Sequence, residues 1–365
     1  MPRRPIAQRI AWLLDLAREH GQEFAAAEAV LARQRHRALH PTAILALKCM
    51  DGRIHLPYAT ETPQGVIEPI RNLGGMFDLG WPYLGEVLTD AVARAVAQGR
   101  RTLMLLTYHF SKGDPHRGCA GFGNDTAGAL RHVYGVRTQV EQVFGKEHGT
   151  VYPLVVGFET DEDALILHGP GHGPGPGPDG MLNLAEEADA NPDRLGAGLA
   201  ALLPDMPGPM RADLLPLVLG NVRHIAEIRA QRRAPTLEHT EWAMCVGRGF
   251  DFLHEPGIAL IVGPYSPDLA DPVRKAAAII RHNMEQGRIP DDGFLLLAST
   301  PWREPGPDRA RAELKSRFLY DFTAGVIAQV DPGLARKMGG GGAVLHWDTR
   351  HLEIIHGPVA PDRGR

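Results

Sequence analysis

The chain has 365 residues, 44% of them hydrophobic and 22% charged, and that length exceeds what one core fills, so two domains are expected. Its formal net charge of −4 points to no nucleic-acid or polyphosphate partner. Three cysteines cannot build a disulfide framework, and no run of about 18 apolar residues is present to span a membrane, so the expected compartment is a reducing cytoplasm with thiols free to bind metal.

Residues 5–37 carry apolar positions at helical spacing (Ile6, Ile10, Leu13, Leu14, Ala17) and read as one or two helices rather than a signal peptide, which would need an unbroken apolar region. "AILALK" then reads as a buried strand that ends at Cys49. "GVIEPIRNLGG" is a second strand closed by two glycines, and "YLGEVLTDAVARAVAQGR" is a helix with an acidic start and a basic end. "TLMLLTYH" is a third strand ending at His109, "TAGALRHVYGVRTQVEQVFG" a helix, and "VYPLVVGFETDEDALILHG" a strand, turn and strand. Strands alternating with helices predict a mainly parallel α/β sheet, with working residues at the carboxyl ends of the strands. Next comes "GPGHGPGPGPDG" at 169–180, read as a linker in which His172 is a solvated loop residue.

Cys49, His109 and Cys119 offer two thiolates and an imidazole, a set that suits zinc and leaves a fourth tetrahedral position open, as in catalytic sites. Water in that position has its pKa lowered from about 15.7 toward about 7. Asp51 lies two residues from Cys49 and can close the site by binding the metal itself. Arg53 can prevent this by a bidentate pair, leaving Asp51 to orient the reacting water. His116 is the rival ligand, because "HRGC" has metal-pair spacing. His109 is preferred, since it follows an apolar strand directly, whereas His116 sits in a segment of loop composition.

These motifs, "CMDGR", "RNLGG" and "LLTYH" followed by "CAG", resemble the β-class carbonic anhydrases. His109 and Cys119 are ten positions apart where that class usually has H-x-x-C. A long gap of this kind is similar to the divergent carboxysome shell carbonic anhydrase branch. The resemblance covers roughly residues 40–168. It implies zinc held by Cys49, His109 and Cys119, the dyad Asp51–Arg53, and Gly74 and Gly75 lining the substrate space. The implied reaction is reversible hydration of CO2 to bicarbonate by attack of zinc hydroxide. Carbonyl sulfide or carbon disulfide at the same site, or a non-catalytic zinc- or bicarbonate-binding or assembly protein, are the alternatives. Thiol redox chemistry is disfavoured because no C-x-x-C exists.

That branch also has a second, degenerate copy of the fold, and "MCVGR" here parallels "CMDGR". Gly52 and Arg53 then match Gly247 and Arg248, Cys49 falls on Met244 and Asp51 on Val246, with Cys245 one place out. Thr300 stands about where His109 does, and the "HGP" ends at His168 and His356 correspond. The expected organisation is a helical segment at 1–38, a catalytic zinc-binding domain at 39–169, a linker with helices at 170–220, and a second copy lacking ligands at 221–360. The second copy would wall the active site as a partner subunit does elsewhere in the class. The resemblance further implies a homodimer. Because the chain starts almost at its first helix, without the branch's long extension, a free cytoplasmic enzyme is expected, with packaging among carboxysome proteins as the alternative.

Overall fold

A computed structural model describes residues 1–171, 180–231, 239–253 and 257–359. His172 and most of the glycine-proline linker lie outside the described residues, as does the end of the expected second domain at 360. Two helices come first, α1 (Ile6–Ala25) and α2 (Ala27–Leu39). The first sheet and its helices follow: β1 (Ala43–Cys49), the short α3 (Leu56–Ala59), β2 (Ile67–Asn72), α4 (Pro82–Ala97), β3 (Thr102–Phe110), α5 (Thr126–Phe144), β4 (Val151–Glu159), β5 (Ala164–His168) and β6 (Met181–Asn183). α6 (Pro192–Leu202) and α7 (Gly208–Ala230) lead to β7 (Ala243–Gly247), β8 (Ala259–Val262), α8 (Ala270–Glu285), β9 (Phe294–Trp302), α9 (Pro307–Val330), α10 (Pro332–Ala335), β10 (Met338–His346) and β11 (His351–Val359).

The strand order is β2-β1-β3-β4-β5-β6 in one sheet and β11-β10-β9-β7-β8 in the other. Read from β8, the second repeats the first without its last strand. In both, four parallel strands are followed by one antiparallel strand. β1, β3 and β4 are buried along almost their whole length. This is why they read as unbroken apolar runs: a parallel sheet covered on both faces has no solvent side to alternate with. The chain is therefore two tandem α/β units of one topology behind a helical segment.

Hydrogen-bond register changes how the two copies correspond. β3 and β4 pair in step over nine positions, Thr102 with Val151 through Phe110 with Glu159. β9 and β10 do the same from Phe294 with Met338 to Trp302 with His346. Ile44 lies beside Leu103, the second residue of β3; Ala243 lies beside Leu295, the second residue of β9. Ala243 is thus the counterpart of Ile44. Continued along both strands, this register puts Arg248, not Met244, in the place of Cys49. Pro301, not Thr300, takes the place of His109. Matching "GR" to "GR" slides the copies four residues out of step, because shear between strands is set by backbone pairing and not by local motif. The second copy offers neither sulfur nor imidazole at those two places.

α1 buries Ile6, Ile10, Leu13 and Ala17, one helical face, against β11 and β9. Its Arg9, fully buried, donates to Asp292 and to the carbonyl of Gly293. The helix that opens the chain therefore lies on the second sheet. α7 belongs to the first unit. Its Asn221 donates to the carbonyls of Ala59 and Asp163 and accepts from Leu165 N–H, and its Asp213 accepts from Thr42. This closeness requires a bare backbone at Gly220, where a Cβ would stand 2.0 Å from the carbonyl oxygen of Thr60. Gly220→Ala is expected to lower stability by about 1–3 kcal/mol, read as a shift in the denaturant midpoint with little change in slope.

Candidate metal centre

Cys49 ends β1 and His109 lies one residue from the end of β3, so both reach the carboxyl edge of the sheet from neighbouring strands. Cys119 enters from the turn after β3. One ligand atom from each of the three lies within 4.8 Å of the others, and this is the one Cys/His/Asp/Glu group of that kind among the described residues. All three are buried. Both ring nitrogens of His109 are buried without a hydrogen-bond partner. An imidazole so placed costs free energy unless something fills the role, and two sulfurs with one nitrogen are the donor chemistry zinc takes. The residues fit that ion. His116 is exposed and stands outside the group.

The long gap between His109 and Cys119 is folded back on the sheet. Ser111 Oγ donates to Asp161, and the N–H groups of Lys112 and Gly113 donate to Glu159 and Asp161. These carboxylates sit at the β4–β5 turn, so the excursion is pinned at its base. It returns to Cys119 through Arg117, whose carbonyl accepts from Arg53 Nη2 at 3.2 Å. The turn bearing Cys119 then packs on Gly74: a Cβ on Gly121 would stand 2.6 Å from the Gly74 Cα, and one on Gly74 3.2 Å from Cys119 Sγ. Gly74 and Gly75 have φ of 66° and 64°, a conformation that favours glycine. They lie beside the metal group, Gly74 at the Cys119 sulfur and Gly75 near the Cys49 backbone.

Among the described residues, Arg53 is the one side chain that hydrogen-bonds to Asp51. Its Oδ1 accepts the Arg53 backbone N–H at 2.9 Å, and Nε and Nη2 reach its two oxygens at 3.1 and 2.7 Å. Burial opposes ionisation of this carboxyl, but the guanidinium outweighs it and holds Asp51 well below the usual carboxylate range. Of the two thiols, the contact from Cys119 lowers Cys49 against the effect of burial, with His109 assisting. The same contact, with burial, raises Cys119.

Two features had no role assigned from the motifs. Arg71, in β2, is buried and donates from Nη1 to the carbonyl of Asp51 at 2.8 Å and from Nη2 to that of Ile54 at 3.1 Å. Burial pushes it down to about 10. It clamps the loop that carries Cys49 and Asp51, and its position in "RNLGG" was the available signal. Arg71→Lys removes the planar fork and is expected to weaken zinc binding by about 10–100-fold, measured by competition with a chromogenic chelator. The other is β8 of the second unit. Ile261 N–H donates to the Met50 carbonyl at 2.9 Å and Gly263 N–H to that of Arg71 at 3.1 Å. A Cβ on Gly52 would stand 2.4 Å from the Ala259 carbonyl oxygen. The second copy thus backs the loop directly.

Residues 38–183 match the family described as Carboxysome Shell Carbonic Anhydrase, catalytic domain. The matched stretch contains every residue of the group above and ends with β6, the last strand of the first sheet. No curated protein matches the chain. No helix among the described residues is long and apolar enough to cross a membrane.

Proposed function

We propose that the chain catalyses the reversible hydration of CO2 to bicarbonate and a proton, with zinc held by Cys49, His109 and Cys119; the match of residues 38–183 to the carboxysome shell carbonic anhydrase catalytic domain supports this reading. The observation that carries this reading is the convergence of two buried sulfurs and an unpartnered imidazole. Zinc there supplies Lewis acidity and, through it, a nucleophile from water near neutral pH.

The chain's own residues do the rest. Cys49 and Cys119 bring negative charge, and the buried setting keeps competing ligands out. Asp51, ionised and paired with Arg53, presents a carboxylate that accepts the hydrogen of the nucleophilic water and orients its lone pair toward carbon. Arg53 holds that carboxylate in place and, through the Arg117 carbonyl, ties the Cys119 turn to the Cys49 loop. Gly74 and Gly75 line the substrate space in this reading, and both must be bare, since a Cβ would meet the Gly121 Cα at 2.9 Å on Gly74 and the Thr107 carbonyl oxygen at 3.0 Å on Gly75. The boundaries expected at 169 and 221 shift, because β6 completes the first sheet and α7 packs on it; the catalytic unit in this proposal runs from β1 through α7 and the supporting wall from β7 to β11, and dimerisation of the chain and association with a carboxysome belong to the same proposal.

Metal analysis of the purified chain and stopped-flow CO2 hydration test it together. One zinc per chain with hydration well above buffer is the expected result. A chain that retains zinc and hydrates nothing would sink the enzyme reading, and a chain that takes up no zinc would sink the site.

A further inference from the structure

A cleft of about 490 Å³ opens among α2, the amino ends of β1 and β3, the end of α4 and the segment that joins β10 to β11. Six arginines line it: Arg33, Arg37, Arg94, Arg100, Arg303 and Arg350. The overall charge of −4 conceals this local excess. Two carboxylates line the same cleft, Glu68 and Asp348, and both are engaged, by Arg248 and Arg303. Arg350 pairs with Asp251.

The other four have no carboxylate partner among the described residues. Arg33 is buried, donates to the carbonyl of Phe24 at 2.6 Å, and lies with its guanidinium 3.7 Å from that ring centre. Arg37 donates to the carbonyl of Gly65 and Arg100 to that of Pro41. These carbonyls orient the cations without neutralising them. Burial lowers Arg33, and the like charges of Arg37 and Arg350 lower it further; Arg100 is lowered by burial and then by Arg37. Like charges gathered in a concave site await an anion.

The place fits the fold's habit. Arg303 directly follows β9 and Trp347 directly follows β10, so the cleft meets the second sheet at the carboxyl ends of its strands, where α/β sheets bind ligands. It meets the first sheet at the opposite end from Cys49, about 20 Å away along β1 at about 3.3 Å per residue. Bicarbonate, with one charge and four heavy atoms, would leave such a volume mostly empty. Planar guanidinium groups pair bidentately with phosphate oxygens.

We propose that this cleft is a binding site for a small, multiply charged anion of the phosphate-ester or pyrophosphate class. The proposal does not depend on the reaction assigned above, because its test reads binding and not activity. Calorimetric titration of the full chain with inorganic pyrophosphate at about 0.15 M salt, where exposed charges are screened beyond about 8 Å, should show one saturable site per chain. The Arg37→Glu/Arg94→Glu variant should bind about tenfold or more weakly, as should the milder Arg37→Gln/Arg94→Gln if charge reversal disturbs folding. Arg274→Glu, on α8, should bind as the parent does. Equal binding by the altered cleft would overturn the assignment and place the pyrophosphate elsewhere, the metal included. Absence of saturable binding would overturn it too. Binding of polyglutamate with none of pyrophosphate would replace a small-molecule site by one for an acidic protein segment.

Discussion

Serine in place of Cys49 or of Cys119 is expected to strip the chain of zinc and abolish CO2 hydration. A hydroxyl is a poor substitute for a thiolate toward this ion, and among the described residues the group holds three ligand atoms, with Asp51 kept off it by Arg53. Enzymes typically accelerate their reactions by about 10⁶-fold or more, and in the proposed mechanism that acceleration would rest on the metal, so a loss on the order of 10³-fold or more should be measured by stopped-flow. His109→Ala should behave alike. His116→Ala should keep both metal and rate, since that side chain is exposed and outside the group. If His116→Ala lost zinc while His109→Ala kept it, the metal geometry proposed here would be wrong.

Arg53→Met should damage stability and activity together. Asp51 and Arg53 are both buried, and removing one member of a buried pair leaves the other charge uncompensated, at a cost of about 3–5 kcal/mol. Freed from its partner, the Asp51 carboxylate is also expected to swing onto the metal and occupy the open position. The visible spectrum of the cobalt-substituted protein would report that added oxygen ligand. Asp51→Asn on the same background should recover much of the stability, because no charge is then left unpaired, without recovering the rate. Recovery of hydration by the double variant would show that Asp51 contributes nothing beyond its pairing with Arg53. The Arg53→Met variant is not a test of charge alone, since Arg53 also holds the Arg117 carbonyl.

Local pattern was most readable where burial is symmetrical. The apolar runs ending at Cys49 and His109 are strands, and the helical spacing at Ile6, Ile10, Leu13 and Ala17 is a buried helical face. Four successive glycines at 339–342 lie inside β10, a strand flanked by β9 and β11. Gly340 and Gly342 are bare there for packing: a Cβ would stand 2.6 Å from the ring of Tyr320 at Gly340 and 2.7 Å from that of His356 at Gly342. Arg71 shows a limit of local pattern. Its residue type is plain in the motif, but its task of gathering the carbonyls of the Cys49 loop is a matter of distance across two strands, which no spacing along the chain encodes.

The sequence by itself determined the chemistry available: which residues can ligate or pair, and which segments alternate as strand and helix around one repeated plan. Those properties live in side-chain type and in periods of a few residues. Tertiary structure alone decided that the ten positions from His109 to Cys119 close on one point, that α1 packs on the second sheet, and that Arg248 stands where Cys49 does in the first. Each of these depends on backbone pairing and long-range contact, and a shift of register leaves the local pattern nearly unchanged while moving every side chain to new neighbours.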